Sequence, residues 1–171
     1  MLKVDLGLLK RVKRLEIDES VPAGHPMWED TGLTLDGPLR VQLDVEEAFD
    51  DVVAKGTVSA RATMPCRRCL EPVAVALDHP VSLLFRAGIT ELEAESEEEH
   101  VYALPEKARE LDLEHPVREH VMLGMPQYVL CKEDCRGLCP HCGTDLNRGT
   151  CDCTQDPVDD RWAALKRVKL E

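Results

Sequence analysis

The chain has 171 residues, a formal net charge of -12 and only six aromatic residues, Trp28, Phe49, Phe85, Tyr102, Tyr128 and Trp162. That length suits one domain with an appendage, and so acidic a balance excludes a whole-surface grip on nucleic acid, which needs clustered Lys and Arg. No long uncharged apolar run occurs and the start, Met1-Leu-Lys-Val-Asp-Leu-Gly, lacks the pattern of a leader peptide, so the expectation is a soluble, cytoplasmic protein with no membrane partner.

Residues 1–15 mix apolar and basic positions in a pattern that fits neither helix nor strand period. Residues 20–37, with Pro22, Gly24, Pro26, Gly32 and Gly37, read as loop. Leu39-Arg-Val-Gln-Leu-Asp-Val45 alternates apolar with polar residues, the signature of a strand with one dry face. Thr57 to Met64 alternates similarly and runs into Pro65-Cys66-Arg67-Arg68-Cys69-Leu70-Glu71-Pro72, which places that cysteine knuckle at a hairpin tip. Val73–Leu77 and Val81–Phe85 continue as strand, broken or bulged at His79-Pro80 because proline has no N–H for the ladder. A three-stranded antiparallel meander is the simplest arrangement.

Glu91 to Glu99 holds six glutamates and no basic residue, and self-repulsion predicts a mobile loop there. His100–Leu104 is a short strand candidate. Glu114 to Leu123 reads as a helix, with Asp112 and Glu114 at its positive end, Pro116 in its first turn, and Gly124 and Pro126 as its stop. Leu113, Val117, Val121 and Met122 would be its buried face. A second, shorter helix is expected from Asp159 onward, with Trp162 and Leu165 as its apolar stripe.

The chemistry resides in sulfur. Six of the eight cysteines lie in Cys131-x3-Cys135-x3-Cys139-x2-Cys142-x8-Cys151-x-Cys153, and the other two form Cys66-x2-Cys69. Two residues between paired cysteines let both sulfurs converge on one ion, and tetrahedral Zn2+ takes four such donors from two short pairs. Cys139-Pro-His-Cys142-Gly143 is the strongest element, since glycine lets the backbone turn and aim N–H groups at the sulfurs. His141 is read as a bystander. One or two Zn2+ ions are expected: Cys139 and Cys142 would share one with two of Cys131, Cys135, Cys151 and Cys153, while Cys66 and Cys69 would join the remaining pair or complete the sole site.

Rival uses of these thiols are weaker. Structural disulfides belong to oxidising compartments, the spacings of iron–sulfur ferredoxins are absent, and a thioredoxin-like pair needs a helix N-terminus where Cys66 and Cys69 have strands. His-Glu-x-x-His, a phosphate-binding glycine loop and the Gly-x-Ser-x-Gly elbow are all missing. The chain is therefore expected to be no enzyme and to have no small-molecule substrate. Three basic groups stand out against the acidic average, Lys3, Lys10, Arg11, Lys13 and Arg14 near the start, Arg67 and Arg68 within the first knuckle, and Arg161, Lys166, Arg167 and Lys169 near the end; solvated surface and partner contact are both open readings for them.

Cys66-Arg-Arg-Cys-Leu-Glu-Pro72 after a small-residue strand, the glutamate-rich insert, Leu111-Asp-Leu113 opening a helix that closes on Met125-Pro126, Cys135-Arg-Gly-Leu-Cys-Pro-His-Cys-Gly143, Asp145-Leu-Asn147 and Cys151-Asp-Cys153 follow one another in an order that resembles the YceD family, the large ribosomal RNA subunit accumulation proteins of bacteria and plastids. The resemblance runs over nearly the whole chain. It implies a noncatalytic role in synthesis, processing or stability of 23S ribosomal RNA, with ribosomal RNA or a large-subunit ribosomal protein as partner. The fold expected is α+β: a β-rich domain over 1–126, with an antiparallel sheet, one packed helix and the Cys66/Cys69 knuckle, then a cysteine-rich, zinc-ribbon-like module over 127–171.

Overall fold

The structure, a computed structural model, describes residues 2–96, 100–104 and 108–153. The helix expected from Asp159 and the basic residues Arg161, Lys166, Arg167 and Lys169 lie outside that set. Strand β1 (Lys3–Asp5) leads into helix α1 (Leu6–Val12) and strand β2 (Arg14–Val21), followed by a 3-10 turn at Pro26–Trp28. Strands β3 (Leu39–Ala48), β4 (Asp51–Pro65) and β5 (Pro72–Ala87) form the expected meander. Helix α2 (Glu91–Ser96), strands β6 (Val101–Leu104) and β7 (Glu110–Asp112) and helix α3 (Glu114–Gly124) complete the described elements. None of the described helices is long and apolar enough to cross a membrane.

The molecule is α+β, and its main sheet is larger than a meander. Strand β2 adds antiparallel to β3, and β6 adds parallel to β5, giving the order β2-β3-β4-β5-β6. Strands β1 and β7 pair separately. The alternation read in the sequence sets the dry face: Leu39, Val41, Leu43 and Val45 of β3 are buried beside Val52, Ala54, Val58 and Ala62 of β4 and Leu77, Val81, Leu83 and Phe85 of β5. Leu6 and Leu9 of α1, Met27 and Trp28 of the turn, and Val117 and Val121 of α3 belong to the same core.

Three local expectations change. The first residues are ordered by caps: Asp5 Oδ1 accepts from the Leu8 N–H at 2.8 Å, and Lys13, at φ 67, ends α1 in the left-handed conformation. The start of the glutamate run is helical rather than loop, because Thr90 and Glu93 form a reciprocal capping box in which Thr90 N–H donates to Glu93 Oε2 at 2.8 Å and Glu93 N–H to Thr90 Oγ1 at 3.3 Å; positions 97–99 are outside the described residues. Strand β5 is continuous through Pro80, which sits opposite Thr57. The Pro80 carbonyl points away from β4 and bonds His120 Nε2 of α3 at 2.8 Å. In a strand, a residue's nitrogen and carbonyl face the same side, so this proline removes no hydrogen bond from the β4 ladder. Of the helix face expected from α3, Leu113, Val117 and Val121 are buried and Met122 is half-buried.

Candidate metal centres

The turn from β4 to β5 is built to hold two sulfurs inward. Cys66 N–H donates to the Glu71 carbonyl at 2.8 Å and Leu70 N–H to the Cys66 carbonyl at 3.0 Å, with Leu70 left-handed at φ 63 to close the knuckle. Arg68 N–H reaches Cys66 Sγ at 3.5 Å. Cys66 and Cys69 are both buried, and with Cys135 they form a small core of their own, packed by Val73, Leu130 and Leu138.

The chain returns to this knuckle after α3. Arg67 N–H donates to the Val129 carbonyl at 2.9 Å, which lays residues 127–135 alongside and brings Cys131 Sγ to 3.5 Å from Cys69 Sγ and Cys135 Sγ to 3.8 Å from Cys66 Sγ. All four sulfurs of Cys66, Cys69, Cys131 and Cys135 lie within 4.8 Å of one another. Sulfurs about 2.3 Å from a tetrahedral ion stand roughly 3.8 Å apart, whereas a disulfide needs about 2.05 Å. All eight cysteines are free thiols.

A second quartet is built on the next turn. Leu138 bridges Asp145, Cys139 N–H donates to the Thr144 carbonyl at 2.8 Å, and Gly143 N–H to the Cys139 carbonyl at 2.9 Å. Gly143 takes φ 74, the left-handed seat its sequence position predicts. Cys151 and Cys153 close on this knuckle, and the sulfurs of Cys139, Cys142, Cys151 and Cys153 again lie within 4.8 Å of one another. The ambiguity left by spacing is thus resolved geometrically into two groups, each able to hold one metal ion. The first takes two ligands from either side of residue 126. Four sulfurs this close suit a single ion, whereas a multi-iron cluster spreads its ligands over separate irons.

Charge within each group is uneven. Burial opposes ionisation of Cys66 most strongly, yet the N–H groups of Cys69, Arg68 and Cys131 outweigh it and bring that thiol down to about 6. The side chain of Cys131 belongs to an exposed residue but its sulfur turns inward, and burial followed by the neighbouring thiols of Cys69 and Cys135 pushes it up to about 12. In the second group the Thr144 hydroxyl, 3.1 Å from Cys142 Sγ, and the Thr144 N–H lower Cys142 to about 6. Cys153, beside Cys142 and then losing water, is pushed up to about 12. A divalent cation would remove this conflict by stabilising all four thiolates at once.

The basic knuckle residues have structural partners. Arg68 Nη1 donates to the Cys135 carbonyl at 2.8 Å and to the Glu133 carbonyl at 3.5 Å, and the Tyr128 phenol, then the Cys135 and Cys66 thiols, raise its already high pKa. Its own carbonyl accepts from Leu138 N–H at 3.0 Å, and Gly137 must lack a side chain there because a Cβ would stand 2.9 Å from that oxygen. Arg67 Nε donates to the Gln127 carbonyl at 3.0 Å while the residue stays exposed. Asn147 is a site residue that cysteine spacing alone does not reveal. Its Oδ1 accepts from Arg136 N–H at 2.8 Å, and its Nδ2 reaches Cys135 Sγ at 3.5 Å and Asp145 Oδ1 at 2.8 Å. A residue of the second knuckle's loop therefore donates to a sulfur of the first group. The polar Asp145-Leu-Asn147 between cysteine pairs was the available signal.

Comparison with known proteins places this geometry. The family model described as "Large ribosomal RNA subunit accumulation protein YceD" matches residues 54–169, a span that contains every cysteine. An uncharacterized protein of Mycobacterium tuberculosis is 34% identical over 136 residues, covering 80% of this chain and 62% of that protein. A protein of Arabidopsis thaliana named as a chloroplastic large ribosomal RNA subunit accumulation protein homolog is 24% identical over 156 residues, covering 77% of this chain and 49% of that one. A Zea mays protein of the same name is 26% identical, covering 82% of this chain and 59% of the relative. The chain thus spans about half to three fifths of these relatives' lengths. No solved structure matches it.

Proposed function

This chain belongs to the YceD family, and on that premise we propose that it is a noncatalytic factor for accumulation of large-subunit ribosomal RNA, acting on synthesis, processing or stability of the 23S molecule by binding that RNA or a large-subunit ribosomal protein. The observation that carries the reading is the coincidence of the matched span with two preorganised four-sulfur groups. Zn2+ is the ion proposed for each, since four thiolates suit zinc and leave it no open position for catalysis. The metals then act as crosslinks: they fix a surface in an aromatic-poor chain whose own core is thin.

Arg67, exposed at the first knuckle, and Arg161, Lys166, Arg167 and Lys169 are proposed as the phosphate contacts, since clustered cations are what phosphate neutralisation needs in an otherwise acidic chain. Arg68 is assigned to holding the knuckle against residues 133–138 rather than to RNA. The test is genetic and biochemical together. Loss of the gene should lower mature 23S relative to 16S RNA, and a wild-type copy should restore it where a Cys66→Ser copy does not. Arg67→Ala combined with neutralised tail cations should weaken binding to large-subunit precursors and flatten its salt dependence. Unchanged 23S levels on gene loss would sink the reading.

A further inference from the structure

Among the described residues only two aromatic side chains are exposed, Phe49 at 99% and Tyr128 at 64%. Trp28 and Phe85 are buried, and Tyr102 packs on Phe85 with ring centroids 5.5 Å apart. The two exposed rings stand in opposite settings. Phe49 sits in the β3–β4 turn, at the far end of β4 from the cysteines. Tyr128 lies on the segment that returns along the first knuckle, between two residues whose carbonyls hold Arg67: its N–H donates to Val129 at 2.9 Å and its Nε to Gln127 at 3.0 Å. Val129 is buried while Gln127 and Tyr128 are exposed, so the ring lies on the solvent side of that segment. Its phenol stands beside the guanidinium of Arg68, and Arg68 is in turn fixed by the Cys135 carbonyl at 2.8 Å. The ring is thus held at its polar tip while most of its surface meets water.

Charge selects the partner. Neither Arg67 nor Arg68 has a carboxylate partner among the described residues; both are held by backbone carbonyls, which leave the positive charge uncancelled. Of the carboxylates in residues 66–72 and 127–149, Glu71 and Asp145 face Arg148 and Asp134 faces Lys132 at 3.8 Å, so Glu133 alone lacks a cation among the described residues. Against it stand Arg67, Arg68 and Arg136, none of them paired with a carboxylate there. An open aromatic face beside such guanidinium groups fits a nucleotide, with the base on the ring and the phosphate on the cation. A duplex keeps its bases stacked on one another and offers the ring no free face. In a chain of net charge -12, long-range attraction does not hold a phosphate backbone, so short-range stacking has to contribute.

We propose that Tyr128 is the platform on which an unpaired base of single-stranded RNA stacks, with the Nη groups of Arg67 on the adjoining phosphate and Arg68 as the residue that positions the ring. This deepens the reading above and rests on it for the choice of RNA. The probe is a labelled RNA strand of about ten nucleotides with no self-pairing, alone or annealed to its complement, titrated against the purified, metal-loaded full chain at physiological salt.

The single strand should bind about tenfold tighter than the duplex or more. Tyr128→Ala should weaken it about fivefold or more, whereas Tyr128→Phe, which keeps the ring and loses the phenol, should stay within about threefold of the parent. Arg67→Ala should weaken it too and lower the slope of log affinity against log salt by about 0.7. Phe49→Ala, at the other exposed ring, should leave it unchanged, and ultraviolet crosslinks from the strand should map to residue 128. Metal content and melting should match the parent in every variant, since these side chains are exposed; if Tyr128→Ala loses metal, Tyr128→Phe and the crosslink map decide. Equal affinity for strand and duplex would overturn the proposal. So would equal losses from Tyr128→Ala and Phe49→Ala, a Tyr128→Phe loss as large as that of Tyr128→Ala, crosslinks that avoid residue 128, or a face that takes a ribosomal protein and no RNA. Gene-loss effects on 23S levels are read separately: a fall in 23S RNA without strand binding sinks the platform and leaves the family reading, and the converse result does the opposite.

Discussion

The two sulfur groups have the same composition but different supports. In the first, Cys66, Cys69 and Cys135 are buried and share a small apolar core, and Arg68 and Asn147 hold the surrounding loops. In the second, only Cys139 is buried; Cys151 is half-buried, and Cys142 and Cys153 are exposed. The first joins the end of a long strand to a segment 62 to 69 positions later, whereas the second closes a loop between neighbours in sequence. An identical ion would thus stabilise tertiary structure in one place and local structure in the other, because a crosslink restricts the unfolded chain more when it closes a longer loop.

The largest expected effect tests that contrast directly. Cys66→Ser should lose one metal equivalent and destabilise the sheet domain by on the order of 3 kcal/mol or more, seen as a lower and broader calorimetric transition. Cys153→Ser should also lose one equivalent, yet leave the main transition nearly in place. If the two variants melt alike, the division of labour is wrong. Next in size is a difference in rate: a mild chelator should remove one equivalent quickly, from the exposed group, and the second slowly, with loss of the first equivalent leaving far-UV circular dichroism unchanged.

Asn147→Ala should cost about 0.5–1.5 kcal/mol, since it removes the acceptor of the exposed Arg136 N–H and a donor from Cys135. Its diagnostic is which metal becomes labile: the slow equivalent, although Asn147 belongs to the second knuckle's loop. The smallest effect sharpens any comparison made by acidification. Burial first, with the charges of His100 and His79 behind it, holds the His120 pKa below 6.5 despite the Pro80 carbonyl. A histidine whose folded pKa is depressed contributes stability above its unfolded pKa and loses it as pH falls through 6.5 toward the folded value. The α3–β5 contact should weaken in that window, and His120→Gln, whose amide can still donate to Pro80, should flatten the slope before metal release is compared.

Strict alternation made β3 and the distal half of β4 readable, and proline with glycine bounded α3 correctly. The sequence concealed the first half of β4, where Lys55-Gly56 interrupts the pattern. Gly56 is required because a Cβ there would stand 1.9 Å from the Gln42 carbonyl oxygen of β3, a constraint of close approach and not of periodicity. Strand β2 was likewise hidden, since it has few buried residues, whereas β6 falls within the strand candidate His100–Leu104 and only its parallel place beside β5 was not legible. Short cysteine spacings announced thiolate groups but not their partition, since Cys66 and Cys131 are neighbours only after the sheet and α3 have folded. Arg67 and Arg68 looked equivalent in sequence, and the carbonyls each one reaches set them apart.

The long separation within the first sulfur group also fixes a timetable for a growing polypeptide. Cys66 and Cys69 leave the synthesising ribosome as an incomplete pair, and the residues that complete them emerge 62 to 69 positions later, roughly 3 to 14 s at about 5–20 residues per second. During that interval the half-formed site is open to oxidants and to competing ions, so newborn chains are the population in which oxidative stress or metal shortage would first be felt.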